Sequence, residues 1–310
     1  EQWAVRGTVP GVGSSSSIAT MNVVTFTQDP GDRLAFYVGT DARGGFLSWD
    51  GGTAWRELGK PFASARVDAI AVDPRAKCTI YAGSGPRVYR TTDCARTWQS
   101  SDFEASITTL ALDPQAPATI YIGNAKGDIL KSVDSGASWR AIARFENRVK
   151  RLLIAPSADG RGPVTIYAAT QTAGIRRSVN NGDAWVDLRK GMEQYPGAFD
   201  YKSLTLVPDH AGQLLYASKY GILRSVDSGT TWTPIALITA PGAVDISAIA
   251  VNPRRGDEIA YTTGSTFYKT SDGGRTWVSK KLPTRRLVTA LHVDAADANT
   301  IWMTTLEVKK

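Results

Sequence analysis

A chain of 310 residues with 42% apolar residues, nine Trp and 21% charged residues can bury a large interior, and a single closed β architecture reaches this length as one domain. No apolar run approaches the eighteen or so residues of a membrane-spanning helix, and Glu1 is followed by no signal-peptide hydrophobic region, so the expectation is a processed export product or a trimmed chain. The net charge of +7 and pI near 9.4 favour an acidic partner, but Lys and Arg never form the dense blocks of a nucleic-acid tail, which sets nucleic acid aside.

In chain order, Gln2-Trp3-Ala4-Val5-Arg6 comes first and resembles Trp139-Arg140-Ala141-Ile142 further on. Gly11, Gly13 and Ser14–Ser17 then read as a flexible connection. Tyr37 precedes the octapeptide Ser48–Trp55, the first of six of the form Ser/Thr-x-Asp-x-Gly-x-x-Trp. Alternating Val67–Val72 and Tyr-bearing Thr79–Gly83 lead to Thr91–Trp98; Ile107–Leu112 and Thr119–Gly123 lead to Ser132–Trp139. Tyr167 precedes Ser178–Trp185, Tyr216 precedes Ser225–Trp232, and Ile246–Val251 with Tyr261 leads to Thr270–Trp277. Trp302 closes the series without an octapeptide. Successive octapeptide Trp residues are 43, 41, 46, 47 and 45 apart, the period of a four-stranded propeller blade.

Each repeat therefore reads strand A, strand B, strand C, octapeptide turn, strand D. The strand-B aromatics Tyr37, Tyr81, Tyr121, Tyr167, Tyr216, Tyr261 and Trp302 number seven against six octapeptides. The expected fold is an all-β, seven-bladed propeller of four-stranded antiparallel blades in one domain, 1–310. An N-terminal strand at about 1–8 would complete the blade formed by 285–310 and hide its edge.

The acidic positions of the octapeptides are Asp50, Asp93, Asp134, Asn180, Asp227 and Asp272. Asn180 keeps an accepting oxygen and loses the charge, so hydrogen bonding in a tight turn explains the series better than metal binding or acid catalysis. The second copy has Ala95 in place of the glycine that would supply positive φ. Cys94 is its neighbour. Because A–B and C–D loops share one propeller face, Cys78 should reach Cys94, and a disulfide there implies an oxidising compartment. His210 and His292 have no Cys/His cluster around them, so no metal, cofactor or catalytic residue is expected.

These octapeptides resemble the Asp-box, or BNR, repeats of sialidases, xyloglucan-type glycoside hydrolases, sortilin-type receptors and the photosystem II assembly and stability factors. The resemblance implies a propeller, which serves enzymes, receptors and assembly factors alike. Sialidases carry a Phe/Tyr-Arg-Ile-Pro motif before the first repeat, which this chain lacks, and xyloglucan-type enzymes work in a cleft between two propellers, of which this chain has one.

Function is expected on the face opposite the octapeptides, where Arg66, Arg87, Arg144, Arg148, Lys150, Arg151, Arg189, Lys202, Lys280, Lys281, Arg285 and Arg286 form a basic surface. Tyr195, Phe199 and Tyr201 on the connection 186–201 read as a recognition element. The favoured function is a non-catalytic assembly or scaffold propeller outside the cytoplasm, most like the photosystem factors. It would bind an acidic or extended protein partner, a membrane-complex subunit among the candidates. The alternative is a glycoside hydrolase or carbohydrate-binding propeller acting on a polysaccharide, with carboxylates drawn from Asp41, Asp68, Glu104, Glu146, Asp200 and Asp245.

Overall fold

The computed structural model describes residues 2–5, 18–157, 159–207, 210–294 and 297–308. Six four-stranded antiparallel sheets follow one another along the chain, each in the order A, B, C, D. Blade 1 comprises Val23–Gln28, Phe36–Thr40, Gly45–Ser48 and Arg56–Glu57. Blade 2 comprises Ala69–Val72, Ile80–Ser84, Arg87–Thr91 and Gln99–Asp102. Blade 3 comprises Ile107–Leu112, Ile120–Asn124, Asp128–Ser132 and Arg140–Arg144. Blade 4 comprises Val149–Ala155, Thr165–Thr170, Ile175–Ser178 and Val186–Asp187. Blade 5 comprises Tyr201–Leu206, Leu214–Ser218, Ile222–Ser225 and Thr233–Pro234. Blade 6 comprises Ala248–Asn252, Arg255–Thr262, Thr266–Thr270 and Val278–Lys281. Neighbouring strands A pack in order around a closed ring.

The expectation of seven blades is corrected to six. The last repeat contributes only Leu287–Val293 and Ile301–Leu306, a two-stranded sheet seated between blades 6 and 1. Gln2–Val5 form no strand; the rest of the expected N-terminal strand, and the Ser14–Ser17 connection, lie outside the described residues. Trp3 meets Phe267 edge-on, with ring centroids 5.6 Å apart, and packs with Leu282, Val288 and Leu291 through its side chain. Trp302 also behaves unlike the other strand-B aromatics. The six Tyr residues are at most 1% exposed, whereas half-buried Trp302 leans on Phe36 of blade 1, centroids 4.8 Å apart, and donates from Nε1 to Asp294. Counting aromatics counted this ring-closing contact as a blade.

Apolar side chains fill the spaces between successive sheets, as the cluster of Tyr167, Ile175, Leu188, Met192, Leu204, Tyr216 and Trp232 does between blades 4 and 5. Each octapeptide is the C–D turn, and in blades 1 to 5 it is clasped to the A–B loop of its own blade by a backbone bond such as Gly51 N–H to Leu34 O at 3.0 Å or Ser228 N–H to Gly212 O at 2.8 Å, while in blade 6 Gly273 N–H bonds Asp257 O on strand B at 3.0 Å. In blade 2 the same clasp joins Cys94 N–H to Cys78 O at 3.3 Å, and a disulfide links the two side chains, Cα atoms 4.2 Å apart.

Candidate binding site at the channel mouth

The turn that anchors every blade is built from its own residues. The opening Ser or Thr hydroxyl donates to the acidic position, as Ser48 Oγ does to Asp50 Oδ1 at 2.8 Å, and accepts from the fifth residue's N–H, Gly52 N at 2.9 Å. The carboxylate then takes the seventh residue's N–H and, where residue seven is Ser or Thr, its hydroxyl too, as Ser138 Oγ gives to Asp134 Oδ2 at 2.5 Å. These donors pull the Asp134 carboxyl down to about 2, the Ser138 hydroxyl contributing most. In the Asn180 copy residue seven is Ala184, which has no hydroxyl to give, and a single oxygen suffices for Ser178 Oγ and Ala184 N–H, at 2.8 and 2.9 Å. Positions four and five both adopt positive φ, including Cys94 at 59° and Ala95 at 66°. Among the described residues no three His, Cys, Asp or Glu converge on a metal site.

On the opposite face, strand A begins with a bulge. Register shifts set Val24, Thr108, Lys150, Lys202 and Thr289 out of the ladder, and Asp68 and Ser247 occupy the matching positions. A bulge re-aims one side chain while the ladder continues, so each repeat sets one residue at the mouth of the central channel. Thr108 Oγ1 and Thr289 Oγ1 each donate to the next inner strand, at Val149 O (2.5 Å) and Val23 O (2.8 Å). Lys202 meets Asp245 at 3.0 Å.

Half of the expected basic face, six residues of twelve, is neutralised within the molecule. Arg66 bonds Asp68 at 2.7 Å, Arg87 bonds Asp102 at 2.5 Å and Arg189 bonds Asp187 at 2.6 Å. Arg144 is paired with Asp128. Arg286 is a structural clip: it donates to Met21 O at 3.0 Å, Asn22 Oδ1 at 2.6 Å and Thr305 Oγ1 at 3.1 Å, and faces Glu307. Lys280 and Lys281 end strand D of blade 6, and Arg285 lies exposed beyond them.

Arg148, Lys150 and Arg151 differ from the paired arginines. None of the three has a carboxylate within ion-pair distance among the described residues. Lys150 is solvent-exposed, yet its pKa is lowered, first by the crowding of protein around it and then by the charge of Arg148. It also feels Asp68 and Arg66, which belong to blade 2, with blade 3 intervening. These groups therefore converge across a concave mouth. Arg151 turns to blade 5, where its charge partly offsets the rise that burial imposes on the Tyr201 phenol.

The aromatic connection 188–200 is pinned down. Met192 is 0% exposed, and Tyr195, Phe199 and Tyr201 pack against the core between blades 4 and 5. Tyr195 donates its hydroxyl to Trp232 O at 2.7 Å. Four of the six carboxylates considered for hydrolysis are engaged too: Asp68 by Arg66, Asp245 by Lys202, Glu104 by Lys126 at 3.6 Å, and Asp41 by Asn22 at 2.8 Å. Asp29, whose carboxyl burial raises, lies in the A–B loop of blade 1 on the octapeptide face.

The fold is a β-propeller of four-stranded antiparallel blades. No known protein family model and no curated protein matches the chain. Among solved structures it is similar to the GH74 xyloglucanase from Xanthomonas campestris, with TM-score 0.75 and 19% identity over 93% of this chain. The chain spans 51% of that enzyme's length. It is similar to YCF48 bound to D1 peptide, with TM-score 0.69, 17% identity and coverage of 93% of this chain and 90% of that one. It is also similar to Sqt1 of Saccharomyces cerevisiae, with TM-score 0.69 and 11% identity over 97% and 83% of the two chains. At these identities the likeness is one of fold, and the same fold carries a xyloglucanase and a protein bound to a peptide.

Proposed function

We propose that this chain is a non-catalytic binding propeller that takes an acidic segment of a protein partner at its channel mouth and acts in the assembly of a complex outside the cytoplasm. One observation carries the reading: Arg148 and Lys150 lie close enough to repel one another, and neither they nor neighbouring Arg151 has a carboxylate within ion-pair distance among the described residues, on a face whose other cations are mostly paired. An acidic chain would relieve their mutual repulsion. The octapeptides support membership of the Asp-box propellers, and the Cys78–Cys94 disulfide supports an oxidising compartment. The similar YCF48 structure holds a peptide, which favours a protein partner over a polysaccharide. A hydrolase would need an acid with raised pKa beside a second carboxylate, and the mouth offers Asp68 and Asp245 already paired with cations.

The test is fluorescence anisotropy with a labelled Asp/Glu-rich decapeptide and a Ser/Gln-rich control. Acidic binding should weaken steeply with added salt. It should fall at least about tenfold in Arg148→Glu/Lys150→Glu and hold in Arg87→Gln. Equal binding of both peptides, or an unchanged affinity in the mouth variant, would sink the reading.

A further inference from the structure

A second site lies on the opposite, octapeptide face, and it is independent of the channel mouth. The residue immediately before each octapeptide is basic in blades 2 to 6: Arg90, Lys131, Arg177, Arg224 and Lys269. In blades 4 and 5 the arginine spans to the next blade, Arg177 Nη1 donating to Ser228 O at 2.9 Å and Arg224 Nη1 reaching Asp257 at 3.2 Å. Blade 3 has the shorter Lys131 there. Blade 4 also enlarges the loop that faces it, with nine residues between Ala155 and Thr165 against seven between Leu112 and Ile120 in blade 3. The two changes leave a cleft of about 310 Å³ between blades 3 and 4, at the small end of the range for ligand pockets.

The lining is chemically specific. Lys131 is only 9% exposed, its ammonium lies 5.4 Å over the Tyr121 ring, and of its three N–H donors one is given, to Asn181 O at 3.2 Å. Burial and the nearby Arg140 lower its pKa, while Asp183 and Asp113 oppose them. Arg161 stands on the cleft wall without a carboxylate within ion-pair distance among the described residues. Asp113 is the acid of the cleft lining, its Oδ1 accepting the Gln115 and Ala116 N–H groups at 2.8 and 3.2 Å, while Asp183, which also acts on Lys131, is paired with Arg140 at 3.5 Å. The other Asp113 oxygen remains to accept a hydroxyl. The Asn181 side chain is held by Val164 N–H at 2.9 Å.

We infer that this cleft binds a small carboxylate-bearing, hydroxylated ligand about the size of one six-membered ring, its carboxylate on Lys131 and Arg161 and a hydroxyl on Asp113. Isothermal titration calorimetry with glucuronate, and with glucose as the uncharged analogue, tests this. Glucuronate should bind saturably and glucose should not. Lys131→Arg restores the side chain that fills this position in blades 4 and 5, so it should keep the fold and charge while abolishing binding. Arg161→Gln should weaken binding at least tenfold, and Arg148→Glu/Lys150→Glu should leave it intact. Absent glucuronate binding, equal binding of glucose, full affinity in Lys131→Arg, or loss of affinity in the mouth variant would each overturn the assignment.

Discussion

Replacing Asp227 by Ala removes three acceptor contacts at once: Ser225 Oγ at 2.8 Å, Thr231 N at 2.9 Å and Thr231 Oγ1 at 2.6 Å. At about 1 kcal/mol net for each bond, reduced because the turn is open to water, the loss is about 2 kcal/mol. With an unfolding entropy of about 2.1 cal/mol/K per residue, a chain of this length loses roughly 3 °C of Tm. Asp227→Asn keeps one oxygen and forfeits only the Thr231 hydroxyl contact, so about 1 kcal/mol and half the Tm shift are expected. In a Thr231→Ala background the Asn substitution should cost nothing further, reproducing the natural pairing of Asn180 with Ala184. Thermal unfolding of the four proteins, followed by Trp fluorescence with and without calcium, measures each step. If Asn proves as damaging as Ala, or calcium raises Tm only while Asp227 is present, charge or metal binding rather than hydrogen bonding holds the turn.

Ala95→Gly should stabilise the protein by about 1 kcal/mol, because φ of 66° at Ala95 is a left-handed conformation that costs a side chain and is free for glycine; a lowered denaturation midpoint would contradict this. Arg286→Met should cost about 2 to 3 kcal/mol through the lost bonds to Met21, Asn22 and Thr305, and hydrogen exchange should rise first in Leu287–Leu306. His292 is held below its ordinary pKa by burial, against the pull of Asp294, and its Nε2 lies 2.6 Å from Gln28 Oε1. The unfolded chain therefore binds the proton more readily, so stability present above about pH 6.5 should decline as pH falls below that value. His292→Gln should flatten the decline between pH 7.5 and 5.5 in thermal melts, and an unaltered slope would assign it to other groups.

Strand order and the octapeptide turn were legible, because a Trp every 41 to 47 residues and a strictly placed Ser/Thr, Asp/Asn and Trp leave one blade pattern. The blade count was not. Trp302 occupies the strand-B position but turns its ring to Phe36, and Trp3 resembles a strand-D start yet reaches its neighbours through its side chain alone. Neither difference shows in a residue tally. Which cations of the basic face are paired was not legible for a different reason: a charge list takes no account of what stands opposite. Register counted outward from each octapeptide would have helped, since it sets Arg87 against Asp102 and Arg176 against Asp187. Arg148, Lys150 and Arg151 precede or open strand A, outside any C–D hairpin, so this register gives them no acid.

The backbone clasp between each octapeptide and its own blade bears on how such a molecule can change over generations. Because each four-stranded sheet is fastened at its outer turn by bonds internal to one repeat, the linkers from one strand D to the next strand A carry little of that fastening. They are free to lengthen, as residues 188–200 have done beside the four-residue link 103–106. New recognition surfaces can thus be added one linker at a time while the duplicated unit beneath them stays intact.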